Sequence, residues 1–199
     1  MRIRIVGITG KQNSGKDTLA SAFIENDFLK MAFADPLKDV IHRMFNIPKT
    51  VLWGPSENRD THTRMILQTL GTDYARGIDP EVWIKRTTER IREVATRRRD
   101  PLERCVVPLG DKELRIVVPD VRFSNEAEAL RNFAPDAVLI RVHRPGSEEG
   151  KAVETCTHIS ETEMDTIPSE MYKYDLQNVG TLEEFQTAAR DVVRKVLAS

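Results

Sequence analysis

Arg2-Ile-Arg-Ile-Val-Gly-Ile-Thr9, followed by Gly10-Lys-Gln-Asn-Ser-Gly-Lys-Asp17, is the stretch whose reading decides the fold. The first half alternates and then runs apolar, as a short buried strand does. The second half is a loop bounded by Gly10 and Gly15, and Thr18 to Phe28 continues as an amphipathic helix. Strand, glycine-bounded loop and helix, in that order, make the setting in which a backbone wraps a phosphate. The two glycines permit backbone angles that other residues resist, so successive N–H groups can turn inward on an anion. Lys16 adds a full positive charge. The helix behind it contributes unpaired N–H groups and about half a unit of positive charge at its N-terminus. Asp17 stands where such a loop commonly carries a hydroxyl for Mg²⁺, and the hydroxyl comes one residue later, at Thr18.

Composition narrows the remaining choices. A chain of 199 residues suits one domain with insertions and is long enough to bury a sizeable core. A net charge of −1 with 31% charged residues describes an ordinary soluble surface and argues against nucleic acid as the main partner. Cys105 and Cys156 are far apart and lack metal-ligand spacing, so they read as free thiols rather than a disulfide or zinc site. The run Ile3 to Ile8 is broken by Arg4 and cannot serve as a secretory signal, and no stretch approaches eighteen apolar residues. The expectation is a cytoplasmic protein with no membrane partner. Pro145 to Glu154 is the one long Pro-, Gly- and polar-rich stretch and is the candidate mobile loop.

Outward from the loop, Phe28 to Ala34 reads as a buried strand, with Asp35 capping and Pro36 opening a helix that runs to Phe45. Asn46 to Asp60 reads as loop. Thr61 to Tyr74 has helical spacing that stops at or shortly after Gly71, and Pro80 to Arg99 is a helix opened by Asp79. Its Arg86, Arg90, Arg92 and Arg97 to Arg99, interleaved with Glu89 and Glu93, read as a solvated face of i,i+4 pairs. Arg104 to Leu109 and Glu113 to Pro119 flank Gly110-Asp111 as a possible hairpin before a central strand that ends at Asp120. Asn125 to Asn132 is helical, Ala137 to Val142 and Tyr172 to Leu176 are strands, and Thr181 with Glu184 makes a capping box for the closing helix. Strands alternating with helices call for a three-layered α/β fold with a parallel sheet.

In such a sheet, ligands lie beyond the carboxyl ends of the strands. The pattern therefore nominates the loop, Asp35 to Lys38, Asp120 to Arg122 and Arg141 to Arg144. Asp120 has two readings, as a holder of Mg²⁺ or acceptor, or as a partner of Arg122. Glu126 is placed to fix the Arg122 guanidinium for phosphate contact. Trp83 reads either as core or as a platform for a base. The four histidines read as structural or exposed.

Taken together, these motifs resemble the bacteriophage type of deoxynucleoside monophosphate kinase, a branch of the P-loop kinases. The resemblance rests on SGKDT at Ser14 to Thr18, DPLKD at Asp35 to Asp39, RMILQTLGTD at Arg64 to Asp73, and Trp83. It continues through VPDVRFSNE at Val118 to Glu126, HRPG at His143 to Gly146, THISE at Thr157 to Glu161 and NVGTLEEF at Asn178 to Phe185. It implies a P-loop fold of five parallel strands, a helical insertion over 35–100 that binds the acceptor, and a lid-like segment over 144–162. It also implies phosphoryl transfer from ATP, with Mg²⁺, to a deoxynucleoside monophosphate, by a monomer or homodimer.

By that resemblance Lys11, Asn13, Ser14, Gly15, Lys16, Asp17 and Thr18 hold the ATP phosphates, with Asp17, Thr18 and Asp120 toward the metal. Asp35, Lys38, Arg64, Gln68, Gly71, Thr72, Trp83, Arg122 and Glu126 hold the acceptor. Lys16, Asp120, Arg122 and Arg144 act on the transferred group. Two alternatives stay open: a P-loop kinase for another acceptor, such as a modified nucleotide or dephospho-coenzyme A, and a nucleotide-dependent binding switch.

Overall fold

The computed structural model describes residues 2–97, 99–100, 105–106, 113–145 and 163–199. Strand β1 (Arg2–Thr9) is central in a five-stranded parallel sheet of order β2-β5-β1-β6-β7. Its neighbours are β5 (Glu113–Val118) and β6 (Val138–His143), with Val6 opposite both Val117 and Val138. The edges are β2 (Leu29–Lys30) and β7 (Tyr174–Gln177).

The period-2 alternation of β1 decides what covers each face. Val6 and Ile8 join a core with Leu19 and Phe23 of α1 (Lys16–Ile24) and with Phe185, Ala189 and Val193 of α7 (Leu182–Ala198). Gly7 faces the other way, where a Cβ would come within 2.9 Å of Leu130 on α6 (Ser124–Phe133). Helices thus cover both faces, and the expected three-layered α/β arrangement is what forms. The capping box is present: the Thr181 hydroxyl accepts from the Glu184 N–H, and the Glu184 carboxylate accepts from the Thr181 N–H.

The chain divides into two compact units, one of Met1–Met31 with Leu109–Ser199, the other Ala32–Pro108. The second unit carries α2 (Asp35–Phe45), α3 (Lys49–Leu52), α4 (Thr61–Gln68), a π-helical stretch Thr69–Arg76, α5 (Val82–Arg97), and the short strands β3 (Arg99–Asp100) and β4 (Cys105–Val106). Its apolar core is Leu37, Ile41, Leu52 and Ile66, with Trp53, Leu70 and Trp83 packed against them.

Several local expectations are corrected. The strand expected over 28–34 is only Leu29–Lys30, because the Ala32 N–H is taken by the Asp35 carboxylate at 2.9 Å and the chain turns into α2. Asp35 is therefore the first helical residue, with Ala34 as cap. Asn46 to Asp60 contains α3 and a 3₁₀ turn at Ser56–Asn58. Of the possible hairpin, residues 104 and 107–112 lie outside the described residues; among the described ones, β4 pairs antiparallel with β3, and Ile116 and Val117 of β5 lie between β1 and β2.

The helix from Thr61 passes Gly71 and continues in π form. Gly71 lies so close to Leu37 that a Cβ would sit 2.4 Å from its Cδ2, and the Gly71 carbonyl accepts a hydrogen bond from Trp83 Nε1 at 2.8 Å. That side-chain bond competes with the helical ladder, a setting in which π turns arise.

Candidate functional site

Residues 10–18 leave β1 at its carboxyl end and fold into a tight cradle. Gly15 is in the left-handed region at φ 105°, and a Cβ there would meet Asn178 Nδ2 at 2.7 Å and the Phe185 ring at 2.8 Å. At Gly10 a Cβ would meet the Val142 carbonyl at 2.5 Å. Both glycines are thus required by close approach. Asn13 also has positive φ, 63°, which asparagine tolerates.

The loop is held from outside by Asn178, which ends the β7 segment and donates from Nδ2 to the Ser14 carbonyl at 2.9 Å. Lys16 Nζ arches back to the Lys11 carbonyl at 3.3 Å. Ser14 is 1% exposed, and its hydroxyl has no hydrogen-bond partner among the described residues. No side-chain hydrogen bond caps α1.

A buried orphan hydroxyl, an uncapped helix N-terminus and a lysine at one cradle fit the phosphates of a nucleotide. For a metal the fit is narrower: no group of three or more His, Cys, Asp or Glu among the described residues is placed to hold one. Asp17, Thr18 and Asp120 would hold it together with phosphate oxygens.

The same unit brings other expected residues to this edge of the sheet. Asp120 follows β5, and the backbone there is pinned by the Val121 N–H to the Ile8 carbonyl, at 3.2 Å. Glu126 is 3% exposed, and its Oε2 accepts from the backbone N–H of Arg122 at 2.8 Å and of Phe123 at 3.2 Å. Its carboxylate therefore shapes the Arg122 turn through the backbone and caps α6.

On β6, Arg141 pairs with Asp175 and lies over the Tyr172 ring, 4.9 Å from its centroid. The hydrogen bonds that Arg141 donates to Asp175 raise the Arg141 pKa, and burial pushes the Tyr172 phenol above its ordinary value. Arg144 is exposed just beyond β6. Lys11 reaches the 3₁₀ turn Glu163–Thr166, pairing with Asp165 at 3.1 Å. Of the lid-like segment 144–162, residues 146–162 lie outside the described residues.

The acceptor residues named from sequence belong to the second unit, apart from Arg122 and Glu126. Asp35 is 7% exposed and accepts three donors: Ala32 N–H at 2.9 Å, Trp53 Nε1 at 3.0 Å and Arg90 Nη1 at 2.7 Å. Arg90 in turn makes a two-pronged bond to Asp100, at 2.9 and 2.6 Å. Burial alone would lower the Arg90 pKa, but Asp100 and Asp35 outweigh it and hold it above its ordinary value.

Arg64 donates to the Arg59 and Ser56 carbonyls and so braces the loop before α4. Trp83 and Gly71 hold each other. Gln68 and Thr72 are partly exposed where α4 passes into the π stretch, and Lys38 lies 5.7 Å from the Trp53 ring centroid.

Arg90 corrects the reading of α5 as one solvated face. Arg86 and Arg97 do pair on the surface with Glu89 and Glu93, but Arg90 is 5% exposed. The signal was present: position 90 lies three residues after Thr87 and four before Val94, both 0% exposed on the inward stripe. The polar partnerships of Asp100, Trp53 and Asn178 likewise have no signal in local sequence, since each meets its partner across the fold.

The model of a family described as deoxynucleotide monophosphate kinase matches residues 47–188. A protein of Acanthamoeba polyphaga mimivirus that carries the provisional name deoxynucleotide monophosphate kinase is 31% identical over 194 residues, spanning 91% of each chain. Among solved structures, a gluconokinase from Sinorhizobium meliloti 1021 covers 96% of this chain and 91% of its own, at 14% identity and a TM-score of 0.46. A dephospho-CoA kinase from Campylobacter jejuni covers 98% and 97%, at 13% identity and a TM-score of 0.42.

Proposed function

This chain belongs to the deoxynucleotide monophosphate kinase family, and from that premise we propose that it transfers the γ-phosphoryl group of ATP to a deoxynucleoside 5′-monophosphate, giving ADP and a diphosphate that feeds DNA synthesis. The observation that carries the reading is the cradle at residues 10–18, with its orphan Ser14 hydroxyl, its uncapped α1 and Lys16. Phosphoryl transfer asks little covalent chemistry of a protein; it asks for alignment and for positive charge around the moving group.

In this reading the backbone N–H groups of the loop and of the first turn of α1 bind the ATP phosphates. Lys16 leaves the Lys11 carbonyl to neutralise charge that develops on the transferred group. Arg122, on a turn fixed by Glu126, and Arg144 add positive charge. Mg²⁺ bound with the nucleotide would supply further charge, held by Asp17, Thr18 and Asp120. The unit Ala32–Pro108 takes the part of acceptor-binding insertion, with Lys38, Gln68 and Thr72 toward the monophosphate.

The deciding experiment measures ADP formed from Mg-ATP against each common deoxynucleoside and ribonucleoside monophosphate, with the diphosphate identified by chromatography. Stimulation by one or several deoxynucleoside monophosphates is the expected result. Silence with all of them would overturn the acceptor assignment and move it to another phosphorylated compound.

A further inference from the structure

Asn178 follows β7 and is 9% exposed. Its backbone N–H donates to the carbonyl of His143, the last residue of β6, at 2.7 Å, so the sheet sets its position. From that fixed point Nδ2 donates to the Ser14 carbonyl at 2.9 Å, a buried bond between residues 164 positions apart. The approach is close, since a Cβ at Gly15 would come within 2.7 Å of the same nitrogen.

That bond fixes the orientation of one peptide group. The chain has no cis peptide, and in a trans peptide the carbonyl and the N–H that follows it point in opposite directions. The Ser14 carbonyl is held outward by Asn178, so the Gly15 N–H points away from Asn178, into the hollow of the loop. Among the described residues this N–H meets no acceptor. The Ser14 N–H donates to the Lys11 carbonyl at 3.1 Å, which holds the turn on its other side. Gly15 caps α1 at φ 105°, and a peptide group next to glycine turns over against little steric resistance. The loop's own sequence therefore does not keep this N–H facing inward; the Asn178 amide does.

An N–H presented in this way at the start of a helix suits an anionic oxygen. We propose that Asn178 is a positioning residue for ATP, whose amide holds the Ser14–Gly15 peptide so that the Gly15 N–H donates to a phosphate oxygen. This rests on ATP as the phosphoryl donor in the function proposed above and deepens that part of it. A neutral amide fits the task, because a carboxylate at this position would repel both the Ser14 carbonyl and the phosphates.

The test follows the Gly15 amide by NMR in the isotope-labelled full chain as ATP is added, alongside calorimetric titration with ATP. In the parent, saturating ATP should move the Gly15 amide proton downfield, the signature of donation to an anionic oxygen. Asn178→Ala and Asn178→Leu are neutral and lack the donor. Both should lose most of that shift and bind ATP about tenfold more weakly, the loss of one charge-assisted hydrogen bond. In kinetics the KM for ATP should rise by a similar factor while the KM for the monophosphate stays within about twofold.

A purely structural role would lower the melting temperature of the variants and leave the Gly15 shift in place. That outcome overturns the inference, and so does ATP affinity within about twofold of the parent in either folded variant. A parent whose Gly15 amide stays put with ATP bound overturns it as well, and that result needs no variant to fold. If the parent binds ATP with the Gly15 shift, the variants lose it and no monophosphate is phosphorylated, the proposed acceptor falls and this inference stands. If the parent binds no ATP, both fall.

Discussion

Removing the Arg90 side-chain charge is the most searching perturbation the structure offers. Arg90→Met keeps much of the volume but deletes three charge-assisted hydrogen bonds, two to Asp100 and one to Asp35. It removes the Arg90 counter-charge from two carboxylates whose side chains are 1% and 9% exposed. Deleting one partner of a buried ion pair costs about 3–5 kcal/mol, because the remaining charge stays out of water without compensation. Against a total stability of about 5–15 kcal/mol, that is a large fraction. For a chain of this size it corresponds to a fall in melting temperature of about 6–20 °C.

Thermal unfolding followed by circular dichroism measures it. The double variant Arg90→Met with Asp100→Asn separates causes, since neutralising the deeper carboxylate removes most of the stranded charge and should restore part of the loss. A single-variant cost below about 1 kcal/mol, or a double variant no more stable than the single, would refute the view that Arg90 compensates buried charge.

Four further outcomes are expected. Lys16→Ala should lower kcat by about a thousandfold or more with an unchanged melting temperature, and near-parental turnover would remove Lys16 from the mechanism. Gly15→Ala should destabilise the first unit by about 1–3 kcal/mol, from left-handed strain and the collision with Asn178 and Phe185; a denaturant midpoint equal to the parent's would contradict the close approach. Arg122→Ala should raise the monophosphate KM or lower kcat far more than it changes ATP binding, and an equal loss of ATP affinity in a titration would argue against its assignment.

The fourth concerns pH. Burial pushes the Glu113 carboxyl up, but hydrogen bonds from Arg115 and Arg4 outweigh it and leave its pKa below the ordinary value. A depressed folded-state pKa means a contribution that is complete above the unfolded-state value, about 4.3, and is lost as pH falls through the lower folded-state value. Glu113→Gln should therefore flatten the fall of stability on acidification below about pH 4.3. Parallel stability curves for parent and variant in acid would count against it.

What the sequence by itself determined is whatever a short window of chain encodes. The alternation and apolar run of Arg2 to Thr9 are enough to specify a buried strand, and Gly10 to Lys16 are enough to specify a tight glycine-bounded loop before a helix, because glycine's freedom and the helix N-terminus act locally. Thr181 and Glu184 announce a helix start for the same reason, lying three residues apart. No helix among the described residues is long and apolar enough to cross a membrane.

Only the tertiary structure decided the partners. Asn178 meets the loop at Ser14 from 164 positions away, Arg90 meets Asp35 across 55, and Trp53 meets Asp35 across 18. An arginine in a charged run looks solvated until the opposing wall is known to carry two carboxylates, and nothing within Cys105–Val106 announces its antiparallel partner, Arg99–Asp100. Backbone propensity and side-chain period are properties of neighbours in sequence, whereas compensation of buried charge and strand pairing are properties of neighbours in space.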